Sequence, residues 1–182
     1  MPTIKHGMQL ILLLLITQLS GCNKPAPVEP PKLGDTISDV TFSGLDKSQL
    51  TLASIKDKLV IVHFWATWCA PCRKEMPSLE RLSQKLDPDK FALIGISVDE
   101  DINLVKEFKL KYGIKFAKFI DIDMSLAQGH FGATAFPETF IIGRDGKLVR
   151  HMMGEHEWDT PAMLKVLNDG YSGVATKAGA YW

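Results

Sequence analysis

Two cysteines separated by two residues, Cys69 and Cys72, lie inside the run "FWATWCAPCRKEMP" at residues 64–77. Such a pair can supply half of a metal site, close a structural disulfide, or pass electrons. A zinc site needs two further ligands, usually a second cysteine pair or spaced histidines. His63, His130, His151 and His156 form no tight ligand pattern with the pair, so no metal is implied. A disulfide closed over two residues removes little chain entropy and stabilises little. Redox chemistry is the favoured reading.

The flanking residues say how that chemistry would run. A mostly apolar, branched run ends before the pair and a helical pattern starts after it, which puts Cys69 at a helix N-terminus. Unpaired N–H groups and the helix dipole favour a thiolate there. Lowering a thiol pKa from about 8.5 toward neutrality makes it a nucleophile at ordinary pH. Cys72 sits one turn further in, placed to attack a mixed disulfide formed at Cys69. Pro71 removes an N–H and stiffens the loop, and Arg73 and Lys74 add positive charge nearby.

The elements that must hold the pair follow from periodicity. "LVIVHFWA" at residues 59–66 reads as a strand buried on both faces. Met76, Leu79, Leu82 and Leu86 recur at helical spacing, predicting a helix from Ala70 to about Leu86 that "DPDK" ends. "FALIGISV" at 91–98 reads as a second buried strand. Asp101 is placed to cap a helix through Lys111 with an apolar stripe of Leu104, Val105, Phe108 and Tyr112. A short strand near 116–120 and a helix near 125–130 come next. "ETFII", "RDG" and "KLVRHM" predict a hairpin turned at Asp145-Gly146. Asp159 or Thr160 caps a last helix with Pro161 in its first turn, running to about Asn168. Ahead of all these, residues 41–43 and 50–52 flank "GLDKSQ" as an N-terminal β-hairpin. The order implies an α/β domain with a central mixed sheet flanked by helices.

At 182 residues the chain has room for one domain with a proper core. Its 21 basic and 21 acidic residues balance, which gives no support to a nucleic-acid partner. Lys5 precedes the apolar run "MQLILLLLITQL" at 8–19, too short for a comfortable membrane span but suited to a signal-peptide core. The run ends in Leu19-Ser20-Gly21-Cys22, which resembles the lipobox of bacterial lipoproteins. That resemblance implies a lipoprotein signal peptide at 1–21 and a lipid on Cys22. The chain would then be exported and held on the periplasmic side of a membrane, inner or outer. A cleaved secretory signal with an incidental cysteine, or an uncleaved anchor, are the alternatives. Lipidation would leave Cys69 and Cys72 as the pair among three cysteines, in a compartment where disulfides persist. Residues 22–33, rich in proline, read as an extended spacer. The domain is expected at 34–170, with a tail at 171–182.

The run around the cysteines resembles the active-site segment of thioredoxin-like proteins, specifically the exported TlpA/ResA branch. Pro77 matches the proline that kinks the first helix of thioredoxins, and "AFPETFIIGRDGKLV" looks like the later segment where a cis-proline precedes a strand and hairpin. The likeness covers residues 34–168. It implies a thioredoxin-like fold and thiol–disulfide oxidoreductase activity through a redox-active Cys69–Cys72 disulfide. Cys69 would be the attacking thiol, Cys72 the resolving thiol, and Pro137 the cis-proline facing them. Phe136 would pair with substrate backbone. Trp68 would help form an apolar docking face, or else be an aromatic at the core edge. Glu75 matches an acidic residue that assists proton movement in ResA-type proteins; otherwise it is a surface glutamate early in a helix. The resemblance implies a reductant of cysteines in exported proteins, apocytochrome c among the candidates, recharged by a membrane electron donor. No metal or organic cofactor is implied.

One residue departs from that pattern. Six positions before Cys69, where thioredoxins carry a buried aspartate and this branch often an asparagine, the chain has His63. It could take the Cys72 proton, or sit neutral and hydrogen-bonded on a buried strand. Two other functions compete. The layout also resembles peroxiredoxins, but their P-x-x-x-T-x-x-C pattern fails here, with Val62 and Ala66 at the Pro and Thr positions. A copper carrier of the Sco type would space its cysteines as CxxxC.

Overall fold

The computed structural model of the protein describes residues 28–173. The expected signal peptide at 1–21, Cys22, spacer residues 22–27 and the tail from 174 lie outside the described residues.

The N-terminal hairpin forms as expected. β1 (Thr41–Gly44) pairs antiparallel with β2 (Gln49–Thr51), Thr41 opposite Thr51. Leu52 belongs instead to a short 3-10 turn, Leu52–Ile55, capped by Thr51, whose Oγ1 accepts the Ser54 N–H at 3.2 Å, while Asp39 accepts the Ala53 N–H. Then come β3 (Leu59–Trp65), α1 (Ala70–Lys85), β4 (Phe91–Ser97), α2 (Ile102–Tyr112), β5 (Phe119–Ile120), β6 (Glu138–Ile142), β7 (Leu148–Met153) and α3 (Pro161–Tyr171). The strands form one mixed sheet in the order β2-β1-β5-β4-β3-β6-β7.

β3 lies between β4, to which it is parallel from Leu59–Phe91 to Trp65–Ser97, and antiparallel β6. Having no free edge and two covered faces, it is apolar except for His63, and every one of its residues is buried. Alternate side chains face opposite ways. Trp65 packs on Phe108 of α2 at 5.3 Å between ring centroids, and His63 lies beside α1 and Trp158. Phe64 packs on the other side against Phe131 and Phe140.

Further sequence expectations need correction: the strand expected near 116–120 is confined to Phe119–Ile120. Residues 125–130 form a run of turns rather than a helix. The Asp121 carboxylate accepts the Leu126 and Ala127 amides, and Ala133 N–H reaches back to the Ala127 carbonyl, so the helical ladder never becomes regular. In α2 the buried stripe is only Val105 and Phe108; Leu104 and Tyr112 are half exposed, because the helix touches the sheet along one line. α3 is capped by Thr160, whose Oγ1 accepts the Met163 N–H, but it runs three residues beyond Asn168. Gly170 there lies against the Leu59 side chain, where a β-carbon would come within 3.1 Å, and Tyr171 packs on Phe91. Packing carries the helix through a residue that, by propensity, disfavours it.

The hairpin of β6 and β7 turns at Gly146, whose φ of 77° suits the absence of a side chain. At the N-terminal end of the described residues, the backbone of residues 28–30 runs so close to Gly132 that a β-carbon there would fall 2.5 Å from the Pro30 nitrogen.

Candidate active site

The two cysteines are joined as a disulfide at the start of α1, with their α-carbons 5.2 Å apart. Cys69 is the N-cap residue and the Cys72 N–H points at its Sγ from 3.2 Å. That amide is one of those a helix start leaves without an intrahelical partner, and it would bind a Cys69 thiolate more strongly than a disulfide sulfur. Cys69 keeps 6% of its surface exposed while Cys72 has none, so an incoming sulfur can meet only Cys69.

The segment before β6 closes over the pair. The Phe136–Pro137 peptide is cis, as expected, and the Phe136 carbonyl oxygen lies 3.4 Å from Cys69 Sγ. Trp68 is 60% exposed and meets the half-buried Phe136 ring edge-on at 6.2 Å. Together they make an apolar shelf beside the reactive sulfur, so Trp68 is not a core-edge residue. The two basic residues have other partners. Arg73 donates to the Thr67 carbonyl, bracing the loop ahead of Cys69, and Lys74 pairs with Glu155. Thr67 is itself held by buried Asp99, which accepts both its N–H and its hydroxyl.

Glu75 is not a surface residue. It is 1% exposed, one turn past Cys72 on α1. Its Oε2 accepts Trp158 Nε1–H at 2.8 Å and the His156 N–H at 3.2 Å. Its Oε1 faces His63 Nε2 at 3.3 Å, and the other nitrogen of that buried imidazole, Nδ1, is 2.9 Å from Thr139 Oγ1. Burial pushes the carboxyl up to about 7, against the lowering effect of the Trp158 and His156 donors. Burial, reinforced by His156, pushes the imidazole down to about 3. The contact is therefore no ion pair, because each group is driven toward its neutral form. The quieter expectation for His63, neutral on a buried strand, describes its setting, but its neighbour is the carboxyl next to the cysteines.

Sequence reasoning missed Glu138. This buried side chain follows the cis-proline, and its Oε2 accepts the Thr134 and Ala135 amides while His151 Nε2 sits 2.6 Å from Oε1. It fixes the loop that carries Phe136. An acidic residue at a position predicted to be a buried strand was the available signal.

A disulfide of this spacing at a helix start, faced by a cis-proline loop on such a sheet, defines a thioredoxin-fold redox protein. Comparison with known proteins narrows the class. Residues 33–151 match the AhpC/TSA family. The thiol-disulfide oxidoreductase ResA of Bacillus thuringiensis is 34% identical over 130 residues, covering 71% of this chain and 75% of the relative. A candidate protein disulfide isomerase from Bacteroides thetaiotaomicron superposes with a TM-score of 0.65 at 31% identity, over 78% of this chain and 91% of its own. The exposed lipoprotein thioredoxin Etrx1 of Streptococcus pneumoniae shares the fold, with a TM-score of 0.62 at 24% identity over 72% of this chain and 99% of its own. The chain belongs to the AhpC/TSA family and, within it, to the thiol–disulfide oxidoreductases of ResA type.

Proposed function

We propose that the protein is an exported, lipid-tethered reductant of disulfides in other exported proteins. The observation that carries this reading is the asymmetry of the pair: Cys69 Sγ is the sulfur with access, beside the Phe136 carbonyl, and Cys72 is sealed behind it. In the reduced protein the Cys69 thiolate attacks one sulfur of a client disulfide, and the client's other sulfur leaves and takes a proton. The client backbone lies along Phe136, with Trp68 covering apolar side chains. Cys72 then gives its proton to Glu75 and attacks Cys69 Sγ. The 69–72 disulfide forms and the client leaves with both sulfurs reduced. Two electrons pass from the pair to the client, and a dithiol donor in the membrane restores them.

Glu75 suits the proton step because residues three apart share one face of a helix. Its carboxyl titrates near neutral pH, so it can accept and release a proton under working conditions. The lipobox-like segment ending at Cys22 supports the tether, and the reducing direction is what the resemblance to the exported TlpA/ResA branch implies. An apocytochrome c is one client that fits the resemblance.

The deciding experiment equilibrates the protein with a thiol redox buffer and measures the Cys69–Cys72 potential. A value at or below about −250 mV, near that of thioredoxin, is expected for a reductant. A value between about −180 and −120 mV, the range of disulfide isomerase and DsbA, would overturn the direction and favour an isomerase or oxidase.

A further inference from the structure

His63 Nε2 and Glu75 Oε1 are both without solvent exposure and 3.3 Å apart. Among the described residues neither atom has a hydrogen-bond partner of good geometry, and the two face each other. The remaining atoms of the two side chains are committed. Oε2 of Glu75 receives two N–H groups, from Trp158 and His156. Nδ1 of His63 is bonded to the Thr139 hydroxyl.

This accounting restricts where protons can go. A carboxyl oxygen already accepting two N–H donors has no lone pair left, so a proton on Glu75 belongs on Oε1. There it points at Nε2, which must then be the bare nitrogen. When Glu75 is ionised, Oε1 needs a donor, and the one available is Nε2–H. The imidazole beside neutral Glu75 is therefore the Nδ1–H tautomer, and beside ionised Glu75 it is the Nε2–H tautomer. Thr139 serves both, because a hydroxyl can accept from Nδ1–H or donate to bare Nδ1.

We propose that Glu75 and His63 titrate as one unit, in which proton uptake by the carboxyl is accompanied by a tautomer switch of the imidazole. The Nε2 proton becomes the Oε1 proton and the incoming proton resides on Nδ1. One proton is gained, no electron moves and no imidazolium forms. His63 is thus a positioning residue acting through Glu75. The inference deepens the reading of Glu75 as acceptor of the Cys72 proton and rests on it only for its role in turnover.

The charges around the pair agree with an uncharged imidazole. From the loop before α3, Glu155 raises the Glu75 pKa and His156 lowers that of His63. From β6 the facing group is Thr139, and Trp158 contributes an N–H and a ring edge. On α1 the cysteines carry no charge while joined. Lys74, the nearby cation, is taken by Glu155 at the surface. A buried imidazolium would thus lack the support that a low-dielectric site demands.

The test is nitrogen NMR of the full chain labelled with ¹⁵N-histidine, in the oxidised state so that neither Cys69 nor Cys72 titrates. His63→Asn assigns the signals, and the Glu75 carboxyl carbon is followed in parallel. From about pH 5 to about pH 9, the range in which imidazoles normally titrate, His63 should stay neutral. It should pass from Nδ1–H to Nε2–H with the midpoint of the Glu75 carbon. In Glu75→Gln the amide NH₂ imitates the protonated acid, so the Nδ1–H form should hold at every pH. One tautomer throughout in the wild type, an imidazolium signal beside ionised Glu75, or a switch that survives Glu75→Gln would each overturn the proposal. The wild-type arms decide even if the variant does not fold. Because Cys69 and Cys72 are joined in the oxidised protein, failure here leaves the Cys72-to-Glu75 step standing; that step is read separately from the pH profile of Cys72 alkylation in the reduced protein.

Discussion

Glu75 is a carboxyl removed from water, and its cost and its use have the same origin. Its folded pKa, about 7, lies above the ordinary value of 4.5. The folded protein therefore holds this proton over a range where the unfolded chain has released it. Its contribution favours folding most below about pH 4.5 and is lost as pH rises to about 7, a change on the order of 3 kcal/mol. Glu75→Gln, which cannot ionise, should remove that slope. Denaturant titrations at mildly acidic and mildly alkaline pH should show the variant gaining on the wild type as pH rises; a constant difference would mean that Glu75 ionises freely. His63 has the opposite sign. Its pKa is depressed, so its contribution is present above about pH 6.5 and is lost as pH falls toward 3. Residues were legible in the sequence where the chemistry is local. The spacing of Cys69 and Cys72 declared itself, and Pro137 followed by resemblance. Trp158 and Thr139 were invisible, because Trp158 meets Glu75 across 83 positions and Thr139 meets His63 across 76. Such meetings depend on strand register and on how a loop packs, and no local pattern encodes them.

At the scale of elements, the site is the meeting of three of them: the top of β3, the first turn of α1 and the loop entering β6. The first two are covalently continuous, whereas the third is positioned by Glu138. Its carboxyl holds the Thr134 and Ala135 amides and is itself held by His151, whose ring stacks on Phe140 at 4.4 Å. Glu138→Ala leaves those amides without their partner and should cost about 2 kcal/mol of stability. Its functional signature should be selective. On the proposed reading a protein client aligns its backbone with Phe136, while a small disulfide needs only Cys69. Reduction of a protein client should fall roughly tenfold, equivalent to about 1.4 kcal/mol, with small-disulfide reduction held within about twofold. Equal loss with both substrates would show that the loop does not guide clients. The elements themselves were largely readable. Continuous apolar runs gave β3 and β4, and the spacing of Met76, Leu79 and Leu82 gave α1. Failures came where a side chain or a contact overrode propensity: Asp121 captured the amides of the 125–130 segment, and Leu59 accepted Gly170 into α3.

For the whole molecule the question is what the proposed tether would do to the site. Cys22 lies six residues before Val28, a span of at most about 20 Å when extended. Residues 28–30 are seated on Gly132, on the segment that leads into the cis-proline. A lipid on Cys22 would therefore hold the Phe136 side of the domain within a short reach of the bilayer. Linkers this short give effective concentrations in the millimolar range, and lengthening one lowers that only as about the −3/2 power of its length. Attachment matters far more than spacer length. Among the described residues no helix is long and apolar enough to cross a membrane. Cys22→Ser separates the possibilities. If the lipid is the anchor, the variant should leave the membrane fraction, and its Cys69–Cys72 pair should accumulate oxidised in cells for want of its donor. The purified variant should still reduce clients when supplied with a small dithiol. If it stays on the membrane with its redox state unchanged, the apolar run at 8–19 is an uncleaved anchor and the lipid assignment falls. If it is released but remains reduced, the electron donor is soluble, and the tether serves the client rather than the recharging step.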